Sequence, residues 1–186
     1  MVLLWGAVIG IAIGLIRGGK IANLEKMGIR YLWLVPVSLL IQLAIFPIFS
    51  EEPFLAFGTE ILHVASYLVL FVFVALNRGV WQIPFMGIGM GLNLLVIGMN
   101  GGYMPSSVVS LIRAGEFEVA YYLTNQGTYG NVTEMKGSTV LDFFGDWLYL
   151  PSWFPLSTAF SIGDLLVATG LVFFFGTGMV AGEAES

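Results

Sequence analysis

The distribution of apolar residues constrains this chain more than any other feature. They form five long runs, at 2–16, 31–49, 61–76, 80–99 and 158–180. A helix needs about 20 apolar residues to cross a bilayer, and a soluble core of this size could not bury so many such runs. The chain is 58% hydrophobic and 10% charged. The sequence therefore predicts an all-α membrane protein with five transmembrane helices in one integral membrane domain, residues 1–186.

The placement of lysine and arginine predicts the orientation of these spans. Most basic residues fall after the first run or between the third and fourth runs, at Arg17, Lys20, Lys26, Arg30 and Arg78. Basic residues accumulate on the cytoplasmic side of membrane proteins. We expect the N-terminus outside and the C-terminus in the cytoplasm. The first run lacks a preceding basic segment and a small-residue cleavage site, so we expect a retained span instead of a signal peptide.

One connection, residues 101–157, is long and rich in aromatic residues. Such a connection is rarely unstructured in a compact protein. We expect a partly helical outer loop that folds over the ends of the helices. The segment Ser106–Ala114 is predicted to form a short helix, with Ser106 or Ser107 as its N-terminal cap and Gly115 ending it. Residues 124–137 indicate turns, and 142–154 indicate a segment at the level of the lipid headgroups.

Composition excludes several kinds of chemistry. The chain has no cysteine and a single histidine, His63. This excludes disulfides, thiolate-bound zinc, iron–sulfur clusters and sites with several histidines. There is no basic stripe of the kind that nucleic acid requires. The sequence does not identify a cofactor, and it predicts no metal site. Asp142 and Asp146 could hold a divalent cation together with Asp164, but two solvated carboxylates are the simpler interpretation.

Polar residues inside the predicted spans are the best indicators of function, because they are costly in lipid. In the expected topology their polar faces meet near the outer surface, apart from Asn93, which is expected to lie deeper. The candidate ligand-binding residues are Ser66, Tyr67, Asn93, Asn100, Ser161 and Arg113. The candidate catalytic residues are His63, Asp164 and Asp146.

Asp164 is the candidate whose position most strongly indicates a function. A carboxyl group inside a span should pair with a cation, accept hydrogen bonds or stay protonated. The candidate partners are His63, Arg113, Asn93 and Asn100. Alternatively, Asp164 caps the fifth helix through backbone donors. His63 could act as a proton acceptor beside a carboxylate, or be a satisfied histidine at the interface.

Glycines repeat every four residues in two of the predicted spans. Gly6, Gly10 and Gly14 share one face of the first span, and Gly87 and Gly91 share one face of the fourth. Small residues at this spacing allow helix backbones to approach closely. The expected role is tight packing within the bundle. Self-association or docking to other membrane subunits is the alternative.

The chain also resembles a family of small bacterial multi-span membrane proteins that is described only as a domain of unknown function. The resemblance covers essentially the whole chain. Two motifs carry most of it: Asn-Gly-Gly-Tyr-Met-Pro at residues 100–105 and Ser-Ile-Gly-Asp at residues 161–164. Shorter matching stretches are residues 16–20, 23–24, 66–67, 77–78, 93–94 and 145–146. It implies a bacterial plasma membrane and no particular activity.

Two functional hypotheses follow from the residues. The first is an accessory or binding subunit of a membrane complex, or a protein that holds a lipid-like ligand at the outer leaflet. The second is a membrane enzyme that acts on a lipid or lipid-linked substrate through an outward-facing His/Asp site. The absence of a recognisable catalytic motif favours the first.

Overall fold

The computed structural model describes residues 1–45 and 59–180, and this part of the chain is mostly helical. Its α-helices are α1 (Val2–Ile16), α2 (Leu34–Ile45), α3 (Thr59–Leu76), α4 (Gln82–Met99), α5 (Val108–Ala114), α6 (Phe117–Gln126) and α7 (Ile162–Gly178). Two 3-10 helices, Ile21–Met27 and Asp142–Phe144, complete the helical structure of these residues.

Five helices form a bundle in the order α2, α3, α4, α7 and α1, in which neighbours pack against each other. They coincide with the five apolar runs of the sequence. The fifth helix begins at Ile162 instead of Thr158, because Ala159–Phe160 pairs as a strand. The end of the second run, 46–49, lies outside the described residues.

Helix length supports fewer spans than the apolar runs suggest. Only α4, among the described residues, is long and apolar enough by itself to cross a membrane. Helix α1 and the 3-10 helix Ile21–Met27 meet this criterion together, but a bend of 102° separates them. The apolar helices Leu34–Ile45, Ile61–Leu76 and Ile162–Gly178 are shorter. The expectation of five full spans is therefore not supported by length.

The connection between α4 and α7 folds into a small subdomain, which we call the loop subdomain (residues 101–160). The expected all-α class is wrong here. The strands are β1 (Met104–Ser106), β2 (Thr128–Tyr129), β3 (Val132–Glu134), β4 (Leu148–Tyr149) and β5 (Ala159–Phe160). Strand β3 pairs in parallel with β1 and antiparallel with β2, and β4 pairs antiparallel with β5. These short strands join segments that are distant in sequence.

The sequence-based expectations for this subdomain have mixed outcomes. Helix α5 is confirmed: the Ser107 Oγ accepts a hydrogen bond from Ser110 N at 3.3 Å, and Gly115 stops the helix with a φ of 82°. The turns expected at 124–137 are partly wrong, because this range holds the end of α6 and the β2–β3 hairpin. The helix after Asp142 ends at Phe144, so Asp142 and Asp146 do not share a helical face.

The glycine faces pack against other helices of the same chain. Gly6, Gly10 and Gly14 lie against α7 and its C-terminal end, with backbone or Met179 atoms where a side chain would be. Gly87 and Gly91 lie against side chains of α3. The close approach that the glycine spacing predicts is therefore between helices of one bundle.

Candidate functional site

Two polar groupings lie at the end of the bundle that carries the loop subdomain. The first is a hydrogen-bonded network between α4 and α7. The Asn93 Nδ2 donates to Asp164 Oδ1 at 2.8 Å, and the Ser161 Oγ donates to Asn93 Oδ1 at 2.9 Å. Of the four partners expected for Asp164, Asn93 is the one that the structure shows bonded to it.

Asp164 also caps helix α7. Its Oδ2 accepts a hydrogen bond from Ser161 N at 3.2 Å, and its own backbone N donates to Ser161 Oγ at 2.9 Å. This reciprocal arrangement satisfies backbone donors that would otherwise be left unpaired at the start of a helix. Both carboxylate oxygens of Asp164 are therefore engaged by protein groups, which is the structural alternative considered from the sequence.

The network extends from Asn93 toward His63. The Tyr67 hydroxyl lies close enough to the Asn93 side chain to interact with it, and the ring centroids of Tyr67 and His63 are 5.6 Å apart. The His63 Nδ1 lies 2.9 Å from the carbonyl oxygen of Gly102. His63 is only 2% exposed. The structure thus brings polar candidates of three helices together, but it seals the imidazole from solvent.

Two further candidates tie chain segments together. The Asn100 Nδ2 donates to the carbonyl oxygen of Val140 at 2.9 Å, and its Oδ1 accepts from Val140 N at 3.0 Å. The Ser66 Oγ donates to the His63 carbonyl oxygen at 2.7 Å and accepts from Gln42 Nε2 at 3.0 Å. These bonds fix the loop subdomain on α4 and fix α2 on α3.

Arg113 lies away from this network. Its guanidinium group is exposed, sits over the Tyr149 ring at 5.5 Å, and has Nη1 3.4 Å from the Tyr149 hydroxyl oxygen. The expectation that Arg113 folds down onto Asp164 is therefore wrong. Its position at the C-terminal end of α5 explains this, because that end points toward β4 instead of the bundle.

The second grouping is a cavity of about 320 Å³ between α2 and the loop subdomain. Val119 of α6 and Tyr129 of β2 contribute to its walls. Its polar lining residues are Gln42, Ser106, Glu116, Asn131, Asp146 and Thr158. Strand pairing positions them, because β1, β3 and the Ser106–Asp146 bridge meet at this point.

Ser106 and Asp146 have buried oxygen atoms without a good partner. Ser106 is 1% exposed. Its hydroxyl is close enough to Asp146 to affect that carboxyl group. Nevertheless, neither Ser106 Oγ nor Asp146 Oδ1 makes a hydrogen bond of good geometry with any described residue. Ser106 and Asp146 interact with each other at this point, without a well-formed hydrogen bond. Because buried polar atoms are nearly always fully paired, such a pair at one cavity indicates room for ligand groups.

The charges around Asp146 favour its neutral form. Burial raises the pKa of Asp146 well above its usual range, and the nearby carboxylates of Asp164 and Glu116 raise it further. A neutral carboxyl group in a cavity can donate one hydrogen bond as well as accept others. A positively charged ligand would instead favour its ionised form.

Glu116 is held rigidly in the wall of the cavity. Its Oε1 accepts a hydrogen bond from Thr158 Oγ1 at 3.1 Å, and its Oε2 accepts from Ala159 N at 2.9 Å. Nothing in the sequence pattern distinguishes Glu116 from the other acidic residues of the connection. Its two bonds link the start of α6 to strand β5, so they close the cavity on one side.

The alternative of a divalent-cation site is not supported. Within the described residues, no three His, Cys, Asp or Glu side chains lie close enough together to hold a metal ion. Asp142 Oδ1 is also buried without a partner among those residues, but Asp142 does not line the cavity. Asp142, Asp146 and Asp164 therefore do not form one oxygen-ligand cluster.

Comparison with known proteins identifies relatives without an assigned activity. An uncharacterized protein of Thermotoga maritima is 29% identical over 161 residues, which cover 84% of this chain and 80% of that protein. No solved structure matches the chain. The sequence profile of a family of unknown function (DUF5317) matches residues 26–176. This confirms the resemblance to an uncharacterised family, and the chain belongs to DUF5317.

Proposed function

We propose that this chain is an integral membrane protein of the bacterial plasma membrane, and that it binds a small polar ligand in the cavity of its loop subdomain. In this proposal the loop subdomain faces outward and the protein is an accessory or binding subunit. The observation that carries the binding function is a pair of buried oxygen atoms at one cavity, Ser106 Oγ and Asp146 Oδ1, neither of which makes a well-formed hydrogen bond.

The distribution of polar and apolar residues in the bundle supports a membrane location. Glycines and polar residues are buried between the helices, as Gly10, Ser38 and Asn93 illustrate. Large apolar side chains are exposed on the outward faces, among them Leu4, Ile9, Leu40, Leu68, Leu95 and Phe173. A soluble protein rarely exposes so much apolar surface, whereas lipid covers such faces at no cost.

The positions of the five tryptophans give further support. Trp33 and Trp81 immediately precede α2 and α4, beside Arg30 and Arg78. The others lie at the opposite end of the bundle: Trp5, Trp147 and Trp153. Tryptophan concentrates at both membrane–water interfaces. Helix α4 has 18 residues, which corresponds to about 27 Å and approaches the thickness of the hydrocarbon core.

The basic residues support the orientation. Arg17 Nη1 donates to the Gly176 carbonyl oxygen at 3.0 Å, and Arg30 is hydrogen bonded to Asn77 through its backbone. These contacts gather the ends of α1, α2, α3 and α7 at the basic end of the bundle. That end would face the cytoplasm, and the loop subdomain would face outward.

A labelling experiment tests the membrane orientation. The chain has no native cysteine, and a side chain at Gly79 or Gly137 would meet no atom within 4 Å. Gly79 lies in the α3–α4 turn, and Gly137 lies in the loop subdomain. We expect a membrane-impermeant maleimide to label G137C in intact bacterial cells, and to label G79C only after the membrane is opened. Labelling of both variants in intact cells, or the reverse pattern, contradicts the proposal.

A second experiment tests ligand binding. Val119 lines the cavity on α6, while Val109 is exposed on α5. We expect native mass spectrometry of the gently extracted wild-type protein to show a bound non-protein mass. The V119F variant should lose that mass because the ring fills the cavity, and V109F should keep it. A wild-type protein without any adduct, or equal adducts in both variants, argues against a ligand site.

The enzymatic alternative has weaker support. It requires His63 to act as a base on a substrate at the outer leaflet, together with Asp164 or Asp146. The imidazole is buried, and both oxygens of Asp164 hold the start of α7 and Asn93. Asp146 is the one catalytic candidate that lines the cavity. Binding is therefore the function that this geometry supports best.

A further inference from the structure

We infer that the ligand of the cavity carries a primary ammonium group, which is bound by Asp146 and Ser106 beside Tyr129. This inference rests on the proposed function and specifies its ligand. It follows from three features of the cavity: the sign of the charges, the kind of hydrogen-bonding atoms left open, and the ring that lines the wall.

The charge of the lining selects against anions. Glu116 and Asp146 line the cavity, and no lysine, arginine or histidine does so among the lining residues described. Asp164 lies close enough to add its negative charge to the same region. A phosphate or carboxylate would enter without a compensating cation. Burying such an uncompensated charge is strongly unfavourable.

The open hydrogen-bonding atoms can accept from a donor on the ligand. Asp146 Oδ1 and Ser106 Oγ both have lone pairs available and lie buried at the cavity. An ammonium group presents three donors and no acceptor, and its bonds to carboxylates are roughly twice as strong as bonds between neutral groups. Asp146 and Ser106 can therefore receive two of the three donors from one ligand nitrogen.

The aromatic wall also suits a cation. Tyr129 lines the cavity and stacks on Tyr122, with ring centroids 4.8 Å apart and an interplanar angle of 4°. Stacking holds the Tyr129 ring in one orientation. A cation near the face of an aromatic ring is attracted by its electron density, and the attraction increases away from water. A neutral polyol would not gain this attraction, and it would not favour the ionised form of Asp146.

Binding of an ammonium ion has a defined proton balance. When Asp146 is protonated, the incoming ammonium keeps its proton and Asp146 releases one proton to solvent. The groups that influence Asp146 electrostatically are Asp164, Glu116 and the amino group of Met1, and Tyr67 senses the same carboxyl group. Asp164 and Glu116 favour the protonated form of Asp146, and the amino group of Met1 favours its ionised form. We therefore expect affinity for the ammonium ligand to rise with pH until Asp146 is ionised in the free protein.

The test compares ethanolamine with ethylene glycol, which differ in one ammonium group against one hydroxyl. Binding to the full-length protein in detergent is measured by calorimetry at several pH values. We expect ethanolamine to bind and ethylene glycol not to bind. D146N should weaken ethanolamine binding roughly ten- to hundredfold and remove its pH dependence, and S106A should weaken it roughly fivefold. D142N is the matched control, because it removes a buried carboxylate outside the cavity, and it should change affinity by less than about twofold.

Nanodiscs distinguish a free amine from a lipid headgroup. Greater thermal stability in phosphatidylethanolamine than in phosphatidylglycerol, lost in D146N, would assign the ammonium to a lipid. Binding of ethanolamine without such a difference would assign it to a soluble amine. Equal binding of ethylene glycol, or unchanged affinity in D146N, overturns the ammonium inference. If V119F loses a bound mass in that case, the cavity still binds a ligand and only the ammonium inference is wrong. Failure of the ammonium inference is therefore distinguishable from failure of the proposed binding function.

Discussion

Replacement of Asn93 by alanine is expected to lower the free energy of unfolding by about 2–4 kcal/mol. Asn93 is 6% exposed and accepts a hydrogen bond from Ser161 while donating one to Asp164. Its removal leaves a buried hydroxyl and a carboxylate oxygen each without that partner. Each unsatisfied buried group costs about 1–3 kcal/mol, and more when it is charged. Thermal unfolding in detergent, followed by circular dichroism, measures the effect.

The same variant should also weaken ligand binding. Ser161 and Asp164 fix the start of α7, which directly follows strand β5 and the cavity residues Thr158 and Ala159. Loosening of this helix start displaces a wall of the cavity. Asn125→Ala is the matched control: Asn125 is exposed on α6 and its Nδ2 bonds only to the Tyr121 carbonyl oxygen among the contacts described. A loss of stability as large in N125A as in N93A contradicts the role assigned to the network.

The helices of the bundle could be predicted from sequence because each depends on a continuous apolar run. The bounds expected for the first span, 2–16, are those of α1. The start of the last span was misplaced because Thr158 and Ala159 are apolar enough to continue the run, yet Ala159 pairs with Tyr149. A strand of two residues has no periodicity of its own. It forms only where a distant partner is available.

The candidate site likewise combines features that the local sequence predicts with features that depend on distant contacts. The sequence predicts Ser161 and Asp164 on one helix face near the outer surface and Asn93 deeper, whereas the structure hydrogen bonds Asn93 to both of them. The partner of Asp164 could not be chosen, because four side chains had suitable chemistry and only packing separates them. Glu116 was missed because its partners, Thr158 and Ala159 N, are 42 and 43 residues away in sequence. No local signal marks such a contact.

Exchange of Gly10 for alanine is expected to lower stability by about 1–3 kcal/mol, because it forces α1 away from α7. The added Cβ would lie 2.8 Å from the Leu171 carbonyl oxygen and 2.9 Å from the Val172 Cα. Both are backbone atoms, so no flexible side chain can move aside. Helix α7 would have to shift as a unit, and the packing of the neighbouring Gly6 and Gly14 contacts would be lost with it.

A graded series of glycine variants separates this effect from helix propensity. A Cβ at Gly91 would meet Phe71 at 3.5 Å, an ordinary contact, and a Cβ at Gly98 would meet nothing within 4 Å. Alanine favours a helix over glycine by about 1 kcal/mol, so G98A should be neutral or stabilising and G91A intermediate. Melting temperatures of the three variants in one detergent measure the series. Because the contact lies within one chain, the loss in G10A should not depend on protein concentration. A loss that disappears at high concentration, together with a change from dimer to monomer, would instead show that the glycine face joins two copies of the protein.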